Sequence, residues 1–200
     1  MSSAVEQELK WAIRPDGHPI LARKLSDSLG APVVLQQSNR FFDSPDGALR
    51  HQQASVRLRR ENQRLVFTAK QHLSDSGGFH RHQEDEFLLS MALWPWATQA
   101  SNDLCRVCPV PASISAHLAG KPLHCFGGFD NHRLAWTHKG EHIALDCTSF
   151  PGRTDYELEV ETETPAASHA HWEQLLVDWA IPYAPQLATK LHRFVACAGL

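Results

Sequence analysis

Charge alternates with apolar side chains in four separate short stretches of this chain, and that alternation restricts how its strands can be assembled. The first stretch is Glu6-Gln7-Glu8-Leu9-Lys10. Successive side chains of a β-strand point to opposite faces, so Glu6, Glu8 and Lys10 share one face while Val5, Leu9 and Trp11 occupy the other. The same parity recurs where Arg57 and Arg59 alternate with Val56 and Leu58, where Glu84 and Glu86 oppose Phe87, and where Glu157, Glu159 and Glu161 alternate with Tyr156, Leu158 and Val160. The plain reading is a set of solvated charges on an exposed sheet face. A closed antiparallel barrel instead gathers the charges around a polar cavity and turns the apolar faces outward beneath helices. Like charges about 4 Å apart repel by about 4 kcal/mol at intermediate dielectric. Divalent cations together with a polyanion would relax both charge sets at once.

Composition narrows the partners. The chain has 200 residues, with 19 Lys+Arg against 22 Asp+Glu and a net charge of -3. That length suits one domain, read here as residues 1–200, and the charge offers no global basic field for nucleic acid. No apolar run approaches the ~20 residues needed to span a bilayer, and the first residues lack a basic segment followed by an apolar core, so a cytoplasmic protein with no membrane partner is expected. The 5 cysteines are scattered and odd in number, which does not suit a secreted disulfide framework. Cys105-Arg-Val-Cys108 has no second pair at ligand spacing, so free thiols are expected there in place of a structural zinc or redox site. The histidines around His80-Arg81-His82 and at His169 and His171 are read as solvated.

Several elements follow from local pattern. Asp16-Gly17 turns the chain, Pro19 suits the first turn of a helix, and Leu21, Leu25 and Leu29 form a stripe that ends at Gly30. That stripe is expected to cover Leu9 and Trp11. Strands are expected at 55–60 and 65–70 about a loop at Glu61-Asn62-Gln63-Arg64, a register that can bring Lys70 onto the face of Arg57 and Arg59. Gly77-Gly78 separates this hairpin from the Glu84 strand. Residues 89–124 are expected to hold short helices, with Trp94 and Trp96 as packing residues. Strands at 129–136, 141–147 and 156–162 follow, the middle one carrying Asp146 opposite Leu145 and Cys147. Pro165 opens a helix with Trp172, Leu175, Leu176 and Trp179 on one stripe, and Ile181-Pro182-Tyr183-Ala184-Pro185 ends it. The closing segment Thr189–Phe194 brings Lys190 toward the cavity.

The ordered set resembles the CYTH family, also called triphosphate tunnel metalloenzymes. Its ExExK signature is similar to Glu6-x-Glu8-x-Lys10, followed in order by Phe41-Phe42-Asp43-Ser44-Pro45, Arg57-x-Arg59, Lys70, Glu84-x-Glu86, Arg133, Asp146, Glu157-x-Glu159 with Glu161, and Lys190. The segments 39–45 and 155–161 most resemble the branch of short bacterial and plant triphosphatases. Two positions depart from the family pattern: His82 stands where a basic residue is common, and Asn131 where a second cation is frequent.

The resemblance implies an α+β fold, a closed eight-stranded antiparallel β-barrel with a charged interior and flanking helices. It also implies hydrolysis of a triphosphate-containing small molecule with Mg²⁺ or Mn²⁺. Glu6, Glu8, Glu84, Glu86, Asp146, Glu157 and Glu159 would then be metal carboxylates, and Lys10, Arg57, Arg59, Lys70, Arg133 and Lys190 phosphate ligands. Lys70, Lys190 and Glu161 would take part in catalysis. Oxygen-only ligands suit hard Mg²⁺ or Mn²⁺. Inorganic triphosphate leads as substrate, since no base- or thiamine-recognition element stands out. Thiamine triphosphate, a nucleoside triphosphate, cyclase chemistry and a non-catalytic polyphosphate-binding module stay open.

Overall fold

A computed structural model describes the backbone of residues 2–76 and 79–200 and the side chains of residues 7–73 and 83–200. The Gly77-Gly78 separator and the side chains of Val5, Glu6, Arg81 and His82 lie outside those limits. The strands are β1 (Ser2–Ile13), β2 (Val33–Asp43), β3 (Ala54–Glu61), β4 (Arg64–Ser76), β5 (Phe79–Leu89), β6 (His124–His138), β7 (Glu141–Phe150), β8 (Arg153–Glu161) and β9 (Tyr183–Pro185). The helices are α1 (Gly17–Leu29), α2 (Ala48–His51), α3 (Trp94–Ala97), α4 (Ala112–Leu118), α5 (Pro165–Asp178) and α6 (Lys190–Ala198). The strands form a 9-stranded sheet in the order β5-β4-β3-β2-β6-β7-β8-β1-β9, with a further pairing of β5 to β1. The expected count of eight is therefore exceeded by β9, which lies in the segment read only as the end of a helix. β9 lays Tyr183 opposite Ile13 and Pro185 opposite Trp11. A three-residue strand that ends in proline has too little alternation to be read from sequence, and proline is tolerated there because the edge needs no further N–H donor.

The chain divides into two compact units, each assembled from separated segments. The first contains Gln37–Ser74 and Arg81–Phe129. Its core is the apolar face of the β3–β4 hairpin, where Val56, Leu58, Leu65 and Phe67 pack with Leu104, Ile114 and Leu118. The register Glu61↔Arg64 makes the turn only Asn62-Gln63, with Asn62 at φ 49. Asparagine accepts that left-handed conformation more readily than most residues. The expected short helices appear as α3, α4 and two 3₁₀ turns, Met91–Leu93 and Leu104–Arg106. Trp94 packs against the core as expected, beneath Arg40 and Arg60, whose guanidinium carbons lie 5.7 and 5.3 Å from its ring. Cys105 is exposed, and Cys108 is buried with its thiol pushed up to about 12 by burial and by the charge of Cys105. A thiol held protonated this way is a packing group.

Asp43, in the Phe-Phe-Asp-Ser-Pro run, fastens the next turn. Its Oδ1 accepts from the backbone N–H of Ser44 (2.8 Å) and Leu49 (2.9 Å), and its Oδ2 from Arg50 N and Nε, both at 3.2 Å. Gly128 on β6 is a second local constraint. A Cβ placed there would lie 1.8 Å from the carbonyl oxygen of Asn39. Gly128→Ala is expected to destabilise the protein by about 3 kcal/mol, the upper end for overpacking, because the obstacle is backbone and cannot rotate away. Thermal melts check this, and an unchanged midpoint would contradict the close approach.

The second unit contains Glu6–Gln36 and Asp130–Leu200. Leu9, Trp11 and Ile13 of β1 pack with Leu21 and Leu25 of α1, Leu145 of β7, Leu158 and Val160 of β8, and Trp172 and Leu176 of α5. The leucine stripe thus covers the apolar face of β1, each fully buried side chain contributing roughly 1.5–3 kcal/mol. Gly30, at φ 88, ends α1 and donates its N–H to Ser26 O at 2.9 Å. Among the described residues no helix is long and apolar enough to cross a membrane.

Candidate active site

Strand register decides which charges of the second unit meet. β1 pairs with β8 so that Lys10 lies opposite Glu159 and Glu8 opposite Glu161. β7 sets Asp146 opposite Glu157 on one side and Arg133 on the other. Cross-strand partners share a face, so these side chains form one charged surface while Leu9, Leu145 and Leu158 point into the core. The charged face is nevertheless removed from water: Asp146 and Glu157 are 0 % exposed and Glu159 7 %. Buried charge is tolerated only when paired.

The pairing is dense. Arg133 donates to Asp146 through Nε (2.8 Å) and Nη2 (2.7 Å), a two-pronged contact, and through Nη2 to Glu159 at 2.5 Å. Lys190, the first residue of α6, places Nζ 2.8 Å from Asp146 and 2.8 Å from Glu159, and also touches Glu157. Lys10 lies 2.7 Å from Glu8 and 3.6 Å from Glu159. Arg193 donates to Asp155 at 2.8 Å and to Glu157. Asn131 donates to Asp146 at 2.9 Å and accepts from Thr148 at 2.8 Å, so this departure from the family pattern orients a carboxylate in place of adding a charge.

These contacts separate the two carboxyls electrostatically. Burial would raise Asp146, but Arg133 and Lys190 outweigh it and hold the carboxyl well below the usual range. Glu159 moves the other way: burial raises it, the charges of Glu8 and Asp146 add to the rise, and Lys10 and Arg133 only partly offset it. Lys10 is raised, since the carboxylates of Glu8 and Glu159 overcome its burial.

Asp146, Glu157 and Glu159 each offer a carboxylate oxygen, and these oxygens all lie within 4.8 Å of one another. An all-oxygen set of this size fits a hard divalent cation, and Lys190 Nζ lies against all three groups, although burial, with the charges of Arg133 and Lys10, pushes its pKa well below the ordinary lysine value despite the attraction of Asp146. Among the described residues this is the group with metal-binding geometry; Glu8, Glu84 and Glu86 are not part of it. Glu161 lies opposite Glu8 and His142 and acts electrostatically on Arg133.

The first unit carries a second charged cluster. Register puts Ser55 opposite Lys70 and Arg57 opposite Thr68, so Lys70 shares the face of Arg57 and Arg59. Arg57 donates to Thr68 Oγ1 at 3.1 Å, and Thr68 donates to Glu86 at 2.9 Å. Glu84 touches Lys70 and lies 4.0 Å from Arg57. Arg59 Nε donates to Asn39 Oδ1 at 3.0 Å.

Sequence reasoning missed Arg193 and Asp155. Arg193 had a usable signal, since it falls three residues after Lys190 and therefore on the same helical face. Asp155 continues the parity of Glu157 and Glu159, which was read only from Glu157 onward.

The chain is similar to known proteins over nearly its whole length. The model of the family described as "CYTH domain" matches residues 4–195. The Bacillus subtilis (strain 168) protein named "Putative triphosphatase YjbK" is 24 % identical over 194 residues, covering 97 % of this chain and 96 % of that protein. A solved structure of Hippeastrum HpAC1, described as a "putative adenylyl cyclase" with a dominant triphosphatase activity, superposes with a TM-score of 0.85 at 25 % identity, covering 96 % of this chain and 95 % of that one. A Bacillus halodurans structure described as a "putative adenylate cyclase" has the same fold, with a TM-score of 0.74 at 22 % identity over 97 % of this chain and 99 % of that one. With the family model matching nearly its whole length, the chain belongs to the CYTH domain family.

Proposed function

We propose that this protein is a divalent-metal-dependent triphosphatase that cleaves inorganic triphosphate to diphosphate and phosphate. The observation that carries the reading is the buried group of Asp146, Glu157 and Glu159 gathered around the Lys190 ammonium. Mg²⁺ or Mn²⁺ is the proposed cofactor. The family match over residues 4–195 supports treating the chain as one functional domain.

Asp146, Glu157 and Glu159 would hold the ion, with Glu6 and Glu8 assigned to the same role by the family signature. Bound there, the ion would supply Lewis acidity and offset negative charge on phosphate oxygens. With those carboxylates engaged by an ion, the Lys190 side chain would be free to contact a phosphate oxygen. Lys10 and Arg133 are the phosphate ligands proposed in the second unit, and Arg57, Arg59 and Lys70 those proposed in the first. Glu84 and Glu86, assigned as metal carboxylates by the family resemblance, are also proposed to hold Lys70, Arg57 and Thr68 in position. In the reaction water adds to the terminal phosphorus, the anhydride P–O bond breaks, Glu161 takes the water's proton, and Lys70 or Lys190 neutralises the departing diphosphate.

The test is phosphate release from inorganic triphosphate, ATP and thiamine triphosphate with Mg²⁺, with Mn²⁺ and in EDTA. Fastest release from inorganic triphosphate, abolished by EDTA, is expected. Binding without release would identify a non-catalytic module, and full hydrolysis in EDTA would contradict metal assistance.

A further inference from the structure

We propose that Asn39 is a phosphate-binding residue of the first unit, its side-chain Nδ2–H donating to a non-bridging oxygen of the bound triphosphate beside Arg57. The inference rests on the triphosphatase reading above and adds to it a neutral donor that the charged motif does not contain.

Asn39 sits on β2 directly opposite Arg59, and the neighbouring pair on the same face is Phe41 with Arg57. Its side chain is 1 % exposed. Arg59 Nε donates to its Oδ1 at 3.0 Å. A guanidinium has no acceptor, so the amide cannot be turned round without setting N–H against N–H. The Nδ2 group therefore points away from Arg59, and it is buried with no acceptor among the described residues. Arg57 Nε is buried and lacks an acceptor in the same way. Buried donors are satisfied in the great majority of positions, so two unmet N–H groups on adjacent strands of one face call for an acceptor brought from outside.

The carboxylates of this charged cluster each have a partner of their own. Glu61 accepts from Gln37 at 2.7 Å, Glu86 accepts from Thr68 at 2.9 Å, and Glu84 pairs with Lys70. The Asn39 backbone is also pinned. Its carbonyl accepts from Arg40 Nη1 at 2.8 Å, and Gly128 approaches so closely that a Cβ there would overlap the same carbonyl oxygen. These contacts hold the Asn39 backbone in place. An incoming acceptor beside Arg57 and Arg59 is favoured if it is anionic and carries several lone pairs, which describes a phosphoryl oxygen. A neutral amide adds reach to that oxygen without adding a charge that would have to be balanced when the site is empty.

The test uses the full-length protein labelled with ¹⁵N at asparagine, titrated with the non-hydrolysable imidotriphosphate in Mg²⁺. The Asn39 side-chain resonances, identified by their loss in Asn39→Ser, are expected to move downfield on binding. Calorimetry with the same probe is expected to show weaker binding by roughly 10-fold in Asn39→Ala and roughly 100-fold in Asn39→Asp, where donor becomes charged acceptor. The wild-type resonance decides the matter even where a variant folds poorly. If imidotriphosphate binds and the Asn39 amide does not move, the inference is overturned while the triphosphate reading stands. If the wild type binds no imidotriphosphate, both fall together.

Discussion

Glu159→Gln is expected to lower kcat/KM of the proposed metal-dependent triphosphate hydrolysis by about 10²–10³ at saturating Mg²⁺. Glu159 is one of the three carboxylates with metal-binding geometry, and it also touches Arg133 at 2.5 Å and Lys190 at 2.8 Å. The amide keeps the volume and one oxygen but loses the charge that balances those cations. Fold should survive the change, because burial disfavours a charge at this position and the amide carries none. Steady-state kinetics across a Mg²⁺ series measures the effect. Near-normal rates at high Mg²⁺ would remove Glu159 from the ion's ligand set.

Arg193→Met acts on stability before it acts on rate. Arg193 is 6 % exposed, bonds Asp155 and Glu157, and lies with its guanidinium carbon 5.5 Å from the Phe150 ring. Methionine restores most of the stem but leaves two buried carboxylates without that cation. Removing one partner of a buried ion pair costs about 3–5 kcal/mol, which in a chain of this size lowers Tm by about 10 °C. Because a divalent ion would meet part of the freed charge on Glu157, Mg²⁺ should recover some of the lost Tm. Calorimetric melts with and without Mg²⁺ check both statements, and an unchanged Tm would show that Arg193 is dispensable to the network.

The charged motif was readable because parity along a strand is a local property. Glu8, Lys10, Glu157 and Glu159 needed only the two-residue period to be assigned a common face, and the β1–β8 register then places Lys10 opposite Glu159. Lys70 was not fixed by spacing, because a loop read as Glu61–Arg64 leaves the register open; the observed two-residue turn sets it opposite Ser55. Helix α1 was legible from its leucine spacing and its terminal Gly30.

What escaped the sequence depended on partners far along the chain. Arg193 sits in a short helix that mixes cations with apolar residues, and its role exists only because Asp155 and Glu157 meet it. β6 begins at His124, earlier than the alternation suggests, because Gly127 and Gly128 carry no side chains to show which face they occupy. Asn39 lies beside a recognisable aromatic motif, but burial of a polar amide is visible only once β2 has neighbours. β9 is shorter than any period that could reveal it.

The account turns on Lys190 marking the place of a divalent cation. Crystals soaked with Mn²⁺ and imidotriphosphate, measured for anomalous scattering, test it most directly. The predicted result is a strong anomalous peak about 2 Å from carboxylate oxygens of Asp146, Glu157 and Glu159, with the Lys190 ammonium moved off them onto a phosphate oxygen. Mn²⁺ found only elsewhere, with Lys190 still against all three carboxylates, would contradict it.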